Sequence, residues 1–172
     1  LGVKRPSTIP TFYLVSSSLL TTEPAIQVAG EDSSGEAECV FFALDDGLWI
    51  GAGSDHTDRR VEAYDVTISK QACFKPVAPE LWRFEEVSGH WDELILRSYA
   101  VNGKERVLYQ EGSVAGMLAP DDLIRRYSGK NLQPGTAMFG GTLAVQGEVR
   151  PAQRFEFELE DPVLNRKIVH GY

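Results

Sequence analysis

Cysteine is scarce in this chain: Cys39 and Cys73 are the only two in 172 residues, and both sit in apolar surroundings. Such a pair reads as buried free thiols of a reducing compartment rather than a disulfide framework, so the expected location is the cytoplasm. Long apolar runs are missing too. No stretch approaches the ~20 apolar residues that span a bilayer, and no charged-then-apolar leader opens the chain, which predicts no membrane partner. Nor is there a dense basic run. The 17 Lys and Arg are scattered among 25 Asp and Glu, for a net charge of -8 and a pI near 4.9. That balance argues against nucleic acid, because phosphate binding wants a basic surface. No internal repeat or low-complexity tract occurs. Gly51-Ala52-Gly53 lacks the third glycine of a dinucleotide fingerprint, and no Gly-x-Ser-x-Gly elbow supports a hydrolase triad at Ser54-Asp55-His56.

What is present fits a soluble protein acting on small molecules. The length and a 42% hydrophobic content predict a single domain over residues 1–172 with one sizeable core. The first residue is Leu1 rather than Met, so some N-terminal residues are expected to be missing. Residues 1 to 11, with Pro6 and Pro10, read as an irregular lead-in. Short strands are expected at Phe12 to Val15 and Ile26 to Ala29, with a turn or helical piece at Ser16 to Leu20. Val61 to Ser69 fits either a strand or a short helix followed by one. A proline-led helical turn is expected from Glu80 to about Gly89, and a strand from Asp92 to Val101. Asn102-Gly103 then signals a tight hairpin into Lys104 to Tyr109. Pro120-Asp121-Asp122 opens a helix that closes before Gly129, and Arg154 to Glu160 alternates as a half-exposed strand. The class is mainly β with short helices, α+β.

The chemistry concentrates between Ser34 and Arg60. Glu36 and Glu38 precede an apolar strand, Cys39 to Leu44, which turns at Asp46-Gly47 and leads to Asp55 and Asp58. Side chains alternate along a strand, so Glu36 and Glu38 share a face. A two-residue turn at Asp46-Gly47 sets Asp55 directly across from Glu38, whereas a loop that includes Asp45 moves the register by one and turns Asp55 away. Carboxylates this close repel, and a cation is the usual remedy. Oxygen-only ligands suit Mg, Mn or Ca rather than Zn. A solvated strand edge is the competing reading. Glu156, Glu158 and Glu160 have the same spacing and are expected simply to face water, but Glu36 and Glu38 stand at the mouth of a buried strand.

These residues resemble the fumarylacetoacetate hydrolase-like family, and most closely an uncharacterised bacterial branch of it. Glu36-Ala37-Glu38 is similar to the family's Glu-x-Glu metal motif, and Ser54-Asp55-His56-Thr57-Asp58-Arg59 to its Asn-Asp-Val-Ser-Ala-Arg motif. Ser69-Lys70 before Pro76-Val77-Ala78-Pro79 resembles Gly-Lys before Pro-Leu-Gly-Pro, and Gly141-Thr142 stands where a Gly-Thr-Pro contacts substrate. Asn102-Gly103, Tyr109 to Gly112, Leu123-Ile124 and Leu132 to Gly135 follow in family order, over about residues 12 to 160. The resemblance implies a mixed β-roll, a homodimer, and Mg or Mn held by Glu36, Glu38 and Asp55. It also implies that Arg59, Lys70, Gly141 and Thr142 contact a 2-oxo acid or 1,3-dicarbonyl compound. Family reactions are C–C bond hydrolysis, decarboxylation, hydration and isomerisation, joined by an enolate that the metal stabilises.

Three departures stand out. Glu62 replaces a frequent Gln, Leu143 follows Gly141-Thr142, and His56 takes the place of a Val. No histidine precedes His56, although the family usually activates water with an upstream His and Glu. His56 is therefore a candidate general base, with a hydrogen-bonding loop histidine as the alternative. The other function class consistent with the sequence is a non-catalytic metal- or carboxylate-binding module that retains the fold. His90, His170 and the Trp82, Phe84, Trp91 cluster read as structural.

Overall fold

The computed structural model describes residues 9–172; most of the expected irregular lead-in lies outside them. Among the described residues, twelve strands are interleaved with four short α-helices. In chain order they are β1 (Leu20–Thr21), β2 (Ser33–Ser34), β3 (Ala37–Leu44), β4 (Gly47–Ser54), β5 (Thr57–Asp58), α1 (Arg59–Glu62), α2 (Val66–Gln71), β6 (Lys75–Pro76), β7 (Trp82–Arg83) and α3 (Phe84–Val87). The chain continues with β8 (Ile95–Asn102), β9 (Glu105–Ser113), α4 (Pro120–Ser128), β10 (Thr136–Thr142), β11 (Arg154–Asp161) and β12 (Arg166–Gly171). The expected class, mainly β with short helices, is the one observed.

Two four-stranded sheets carry the fold, one in the order β10-β3-β4-β7 and the other β12-β11-β8-β9. One apolar cluster joins them, with Phe41 and Ile50 from the first sheet meeting Leu96, Tyr109, Phe157, Leu159 and Ile168 from the second. β11 shows the alternation expected of it. Phe155, Phe157 and Leu159 point into the core. Glu156 meets Arg106 and Arg154, while Glu158 and Glu160 meet Arg97 and Lys167. The aromatic cluster is core as well, since Phe41, Phe84 and Trp91 pack ring against ring. Cys39 and Cys73 are buried free thiols.

The hairpin that carries the acidic motif closes one residue earlier than the sequence suggests. Its turn residues are Asp45 and Asp46, so Leu44 pairs with Gly47 and Glu38 with Gly53. Arg83 and the Trp49 indole both engage the Asp46 carboxylate, and Gly47 takes φ +134°. Moving the turn by one place displaces the partner of every residue by two. Because side chains alternate with period two, that displacement leaves every facing unchanged. The second hairpin shifts in the opposite sense and closes one residue later, with Asn102 paired to Glu105 and Gly103 at φ +60° inside the turn.

Local chemistry explains other differences. Val61 to Ser69 is helical because Asp58 and Asp65 cap two successive helices: Asp58 accepts from the Arg60 and Val61 N–H groups, and Asp65 from that of Ile68, each at 3.0 Å. α4 runs as expected, with Gly129 at φ +79° closing it. Phe12 to Val15 and Ile26 to Ala29 are not strands. No helix among the described residues is long and apolar enough to cross a membrane.

The β3–β4 hairpin depends on the absence of a side chain at Gly53. A Cβ there would meet Val40 Cγ2 at 2.8 Å, Phe139 Cε1 at 3.0 Å and the Pro76 carbonyl at 3.1 Å. Gly53→Ala is therefore expected to cost about 1–3 kcal/mol, because a packed core must shift to admit the methyl group. A denaturant midpoint lowered at constant m-value checks this.

Candidate metal centre

The site grows out of the end of that hairpin. Glu38 lies within β3 and Glu36 just before it, both on one face, while Ala37 is buried on the other. The Asp55 N–H donates to the Glu36 carbonyl at 2.9 Å, which puts Asp55 opposite Glu36 rather than opposite Glu38. Glu36 and Glu38 share a face, so the two-residue displacement still delivers Asp55 to both. The three carboxylates each offer an oxygen within 4.8 Å of the others.

Their surroundings divide into a charged ring and a hydrogen-bonded frame. Arg59, at the start of α1, donates from Nη1 to Glu36 at 2.9 Å and to Glu62 at 3.0 Å, and from Nε to Ser34 at 2.7 Å. The departure at Glu62 thus fixes the guanidinium from behind. Lys70, near the end of α2, has three oxygens around Nζ: Asp55 Oδ2 at 2.6 Å, Glu36 Oε2 at 3.0 Å and Thr57 Oγ1 at 3.2 Å. Burial works against its charge, but Asp55 and Glu36 outweigh that and hold it protonated, above the ordinary lysine range. Lys75, in β6, stands 3.0 Å from Asp55 Oδ1 and donates to the His56 carbonyl at 2.6 Å. Three carboxylates face three cations.

The frame comes from across the sheets. Gln110, fully buried on β9, accepts from the Ala37 N–H and the Ser98 hydroxyl and donates to Thr142 Oγ1 and the Leu143 carbonyl. Thr142 in turn donates to the Ala37 carbonyl at 2.8 Å, and the Gly141 N–H donates to Glu38 Oε2 at 2.8 Å. Gly141 and Thr142 thereby lock β10 onto the acidic motif, with Gly141 at φ +98°.

His56 is not brought to the carboxylates. Its ring faces the opposite way, with Nδ1 at 2.8 Å from the Tyr172 hydroxyl and Nε2 at 2.9 Å from Ser33 Oγ. Burial, reinforced by Lys75 and Arg59, lowers its pKa to about 4 and keeps the ring neutral. His90 bonds Asp161 at 2.9 Å, away from the site.

A cleft of about 480 Å³ opens over the cluster. Glu38, Asp55, Lys70, Lys75 and Gly141 contribute its polar side, and Phe12, Leu14, Tyr127, Met138 and Phe139 much of its apolar wall. Glu36, Arg59, Thr142 and His56 do not line it. The sequence reading overlooked Lys75, Gln110, Ser33 and Tyr172 as parts of the site. A lysine inside the apolar stretch Cys73-Phe74-Lys75-Pro76 is the one visible signal; the other three meet the motif only through long-range folding.

The donor set suits a hard divalent ion. All three carboxylates supply oxygen, and no cysteine or histidine joins them. Asp55 Oδ1 is buried and accepts no hydrogen bond, although Lys75 Nζ stands 3.0 Å from it. A buried carboxylate oxygen that accepts no hydrogen bond is costly, and coordination would satisfy it.

Comparison with solved structures defines the class of fold. The chain superposes on Cg1458 with a TM-score of 0.74 at 16% identity, covering 95% of this chain and 70% of that one. It also superposes on 2-keto-3-deoxy-D-arabinonate dehydratase complexed with magnesium and 2,5-dioxopentanoate, with a TM-score of 0.65 at 16% identity, covering 83% and 53% respectively. Another crystal form, of 2-keto-3-deoxyarabinonate dehydratase, gives 0.64 at 17% identity over 83% and 51%. These likenesses establish a shared mainly β fold, and the chain spans about half of the dehydratase. The chain itself belongs to the family described as "Protein of unknown function (DUF2848)", whose model matches residues 1–172. No curated protein matches it.

Glu38 carries an electrostatic penalty. It is 5% exposed, and burial, then Asp55, then Glu36 push its pKa well above the ordinary glutamate range. Its extra proton affinity stabilises the fold at low pH, and that contribution is lost as pH climbs from the ordinary range through the raised value. Glu38→Gln keeps an acceptor for Gly141 and removes the charge. It is expected to stabilise the metal-free protein at neutral pH by on the order of 1–2 kcal/mol. Melting at pH 5 and pH 8 checks this, with a larger gain at the higher pH.

Proposed function

We propose that this protein is a divalent-metal-dependent enzyme of the fumarylacetoacetate hydrolase-like type, acting on a small 2-oxo acid or 1,3-dicarbonyl compound. The observation that carries the reading is the convergence of Glu36, Glu38 and the buried, undonated Asp55 Oδ1, with Glu38 and Asp55 lining an open cleft. Glu36, Glu38 and Asp55 would hold Mg or Mn. When bound, the ion supplies Lewis-acid stabilisation of negative charge on the ligand's carbonyl oxygens. That chemistry serves a C–C bond hydrolase, a decarboxylase and a hydratase alike.

The chain's own residues do the rest. Lys70 holds Glu36 and Asp55 at a fixed separation and lines the cleft, where its permanent charge favours an anionic ligand. Arg59 acts one layer further out by fixing the orientation of Glu36. Gly141 presents its backbone at the cleft rim, while Thr142 braces the segment from behind. The apolar wall from Phe12 to Phe139 excludes water from the ligand's carbon skeleton. The protein is proposed to act in the cytoplasm as a homodimer.

A second reading, a binding module without turnover, is favoured by one observation: both nitrogens of His56 are engaged away from the cleft, and no histidine lines it among the described residues. Two measurements test these readings, the first the metal site and the second turnover. Magnesium or manganese at about 100 times its dissociation constant should stabilise the protein by roughly 2.7 kcal/mol. The rise in melting midpoint should vanish in the Glu36→Ala, Glu38→Ala double variant, and absence of any rise in the parent protein would reject a metal site. Turnover of acylpyruvates or oxaloacetate with the metal present supports the enzyme. Tight binding of the same compounds without turnover supports the module.

A further inference from the structure

Of the three cations around the carboxylates, Arg59 does not line the cleft, and its Nε and Nη1 are committed to Ser34, Glu36 and Glu62. Lys70 lines the cleft but is surrounded by Asp55, Glu36 and Thr57 oxygens, one for each of its three N–H groups. Lys75 differs from both. It is 3% exposed, lines the cleft, and among the described residues donates one hydrogen bond, to the His56 carbonyl. Its contact with Asp55 Oδ1 at 3.0 Å is not aligned as a hydrogen bond. An ammonium has three donors, so Lys75 brings unspent donor capacity and a full charge to the polar side of the cleft.

Burying such a group is costly unless its charge and donors find acceptors. A peptide carbonyl and one misaligned carboxylate oxygen leave that demand partly unmet, and the open side is the cleft. We propose that Lys75 is a substrate-binding residue that pairs with a carboxylate of the ligand, so that the site selects a carboxylate-bearing oxo acid over a neutral 1,3-dicarbonyl compound. This rests on the reading of the cleft as a metal-dependent oxo-acid site, and it narrows the substrate class that reading leaves open. The selectivity follows from the ligand's own chemistry. A neutral dicarbonyl accepts only ordinary hydrogen bonds from the spare donors, whereas a carboxylate accepts them as the stronger, charge-assisted kind.

Calorimetric titration in saturating magnesium tests the proposal with two probes: oxamate, a stable carboxylate-bearing 2-oxo-acid analogue, and acetylacetone, a neutral 1,3-dicarbonyl. Lys75→Met should weaken oxamate about tenfold to a hundredfold and leave acetylacetone within about twofold, and Lys75→Arg should restore much of the oxamate affinity. Equal oxamate affinity in parent and Lys75→Met overturns the proposal, as does an equal loss for both probes, which would mark Lys75 as structural. If Lys75→Met does not fold, the comparison is read on Lys75→Gln; failure of both to fold also assigns Lys75 a structural role and overturns the proposal. Failure of the parent protein to bind magnesium or oxamate rejects the oxo-acid reading itself, before any variant is made, and the proposal falls with it.

Discussion

Mutual repulsion among Glu36, Glu38 and Asp55 is the constraint on which the site is built. Three carboxylates with oxygens inside 4.8 Å of one another would separate if left to themselves. Arg59, Lys70 and Lys75 hold them together, each brought from a different short element: α1, α2 and β6. The compensation is close to balanced in charge but not in hydrogen bonding. Asp55 Oδ1 lacks a donor, Glu38 is buried with an elevated pKa, and Lys75 keeps donors in reserve. A site in that condition is poised for a cation and an anionic ligand together, since each would satisfy what the other lacks.

Rigidity comes from groups that never touch the cleft. Gln110 ties β9 to β8 and to the β3 and β10 segments through four hydrogen bonds. Tyr172, at the end of the chain, bonds Ser54 and His56 through its hydroxyl and pairs with Phe155 through its backbone. His56 is read most simply as part of this scaffold. Its neutral ring bridges Ser33 and Tyr172, and its carbonyl receives Lys75, so it sets the path of the chain between Asp55 and Thr57. The cost of closeness appears at Gly53, where β4 approaches Val40, Phe139 and Pro76 too tightly for a side chain.

Much of this was legible along the chain wherever interactions are local. A continuous apolar run marked β3 and period-two alternation β11, the Asp-Gly and Asn-Gly pairs marked both hairpins to within one residue, and Pro120 and Gly129 bracketed α4. The common face of Glu36 and Glu38 follows from strand geometry alone, and the facing of Asp55 survived an error in the turn because a one-place shift moves its partner by two. Composition likewise disfavoured nucleic acid and bilayer-spanning helices without reference to any fold.

What only tertiary structure decided was which charges meet. Lys70 reaches Glu36 across 34 positions and Tyr172 reaches Ser54 across 118, separations at which no periodicity carries information. The histidine beside Asp55 in sequence turned out to face away from it, while an inconspicuous Lys75 came to face it. Sequence determined which side chains share a face, because that depends on backbone geometry one residue at a time. Packing decided which faces enclose the cleft, because that depends on how two sheets and three short helical or strand segments close around one buried charge cluster.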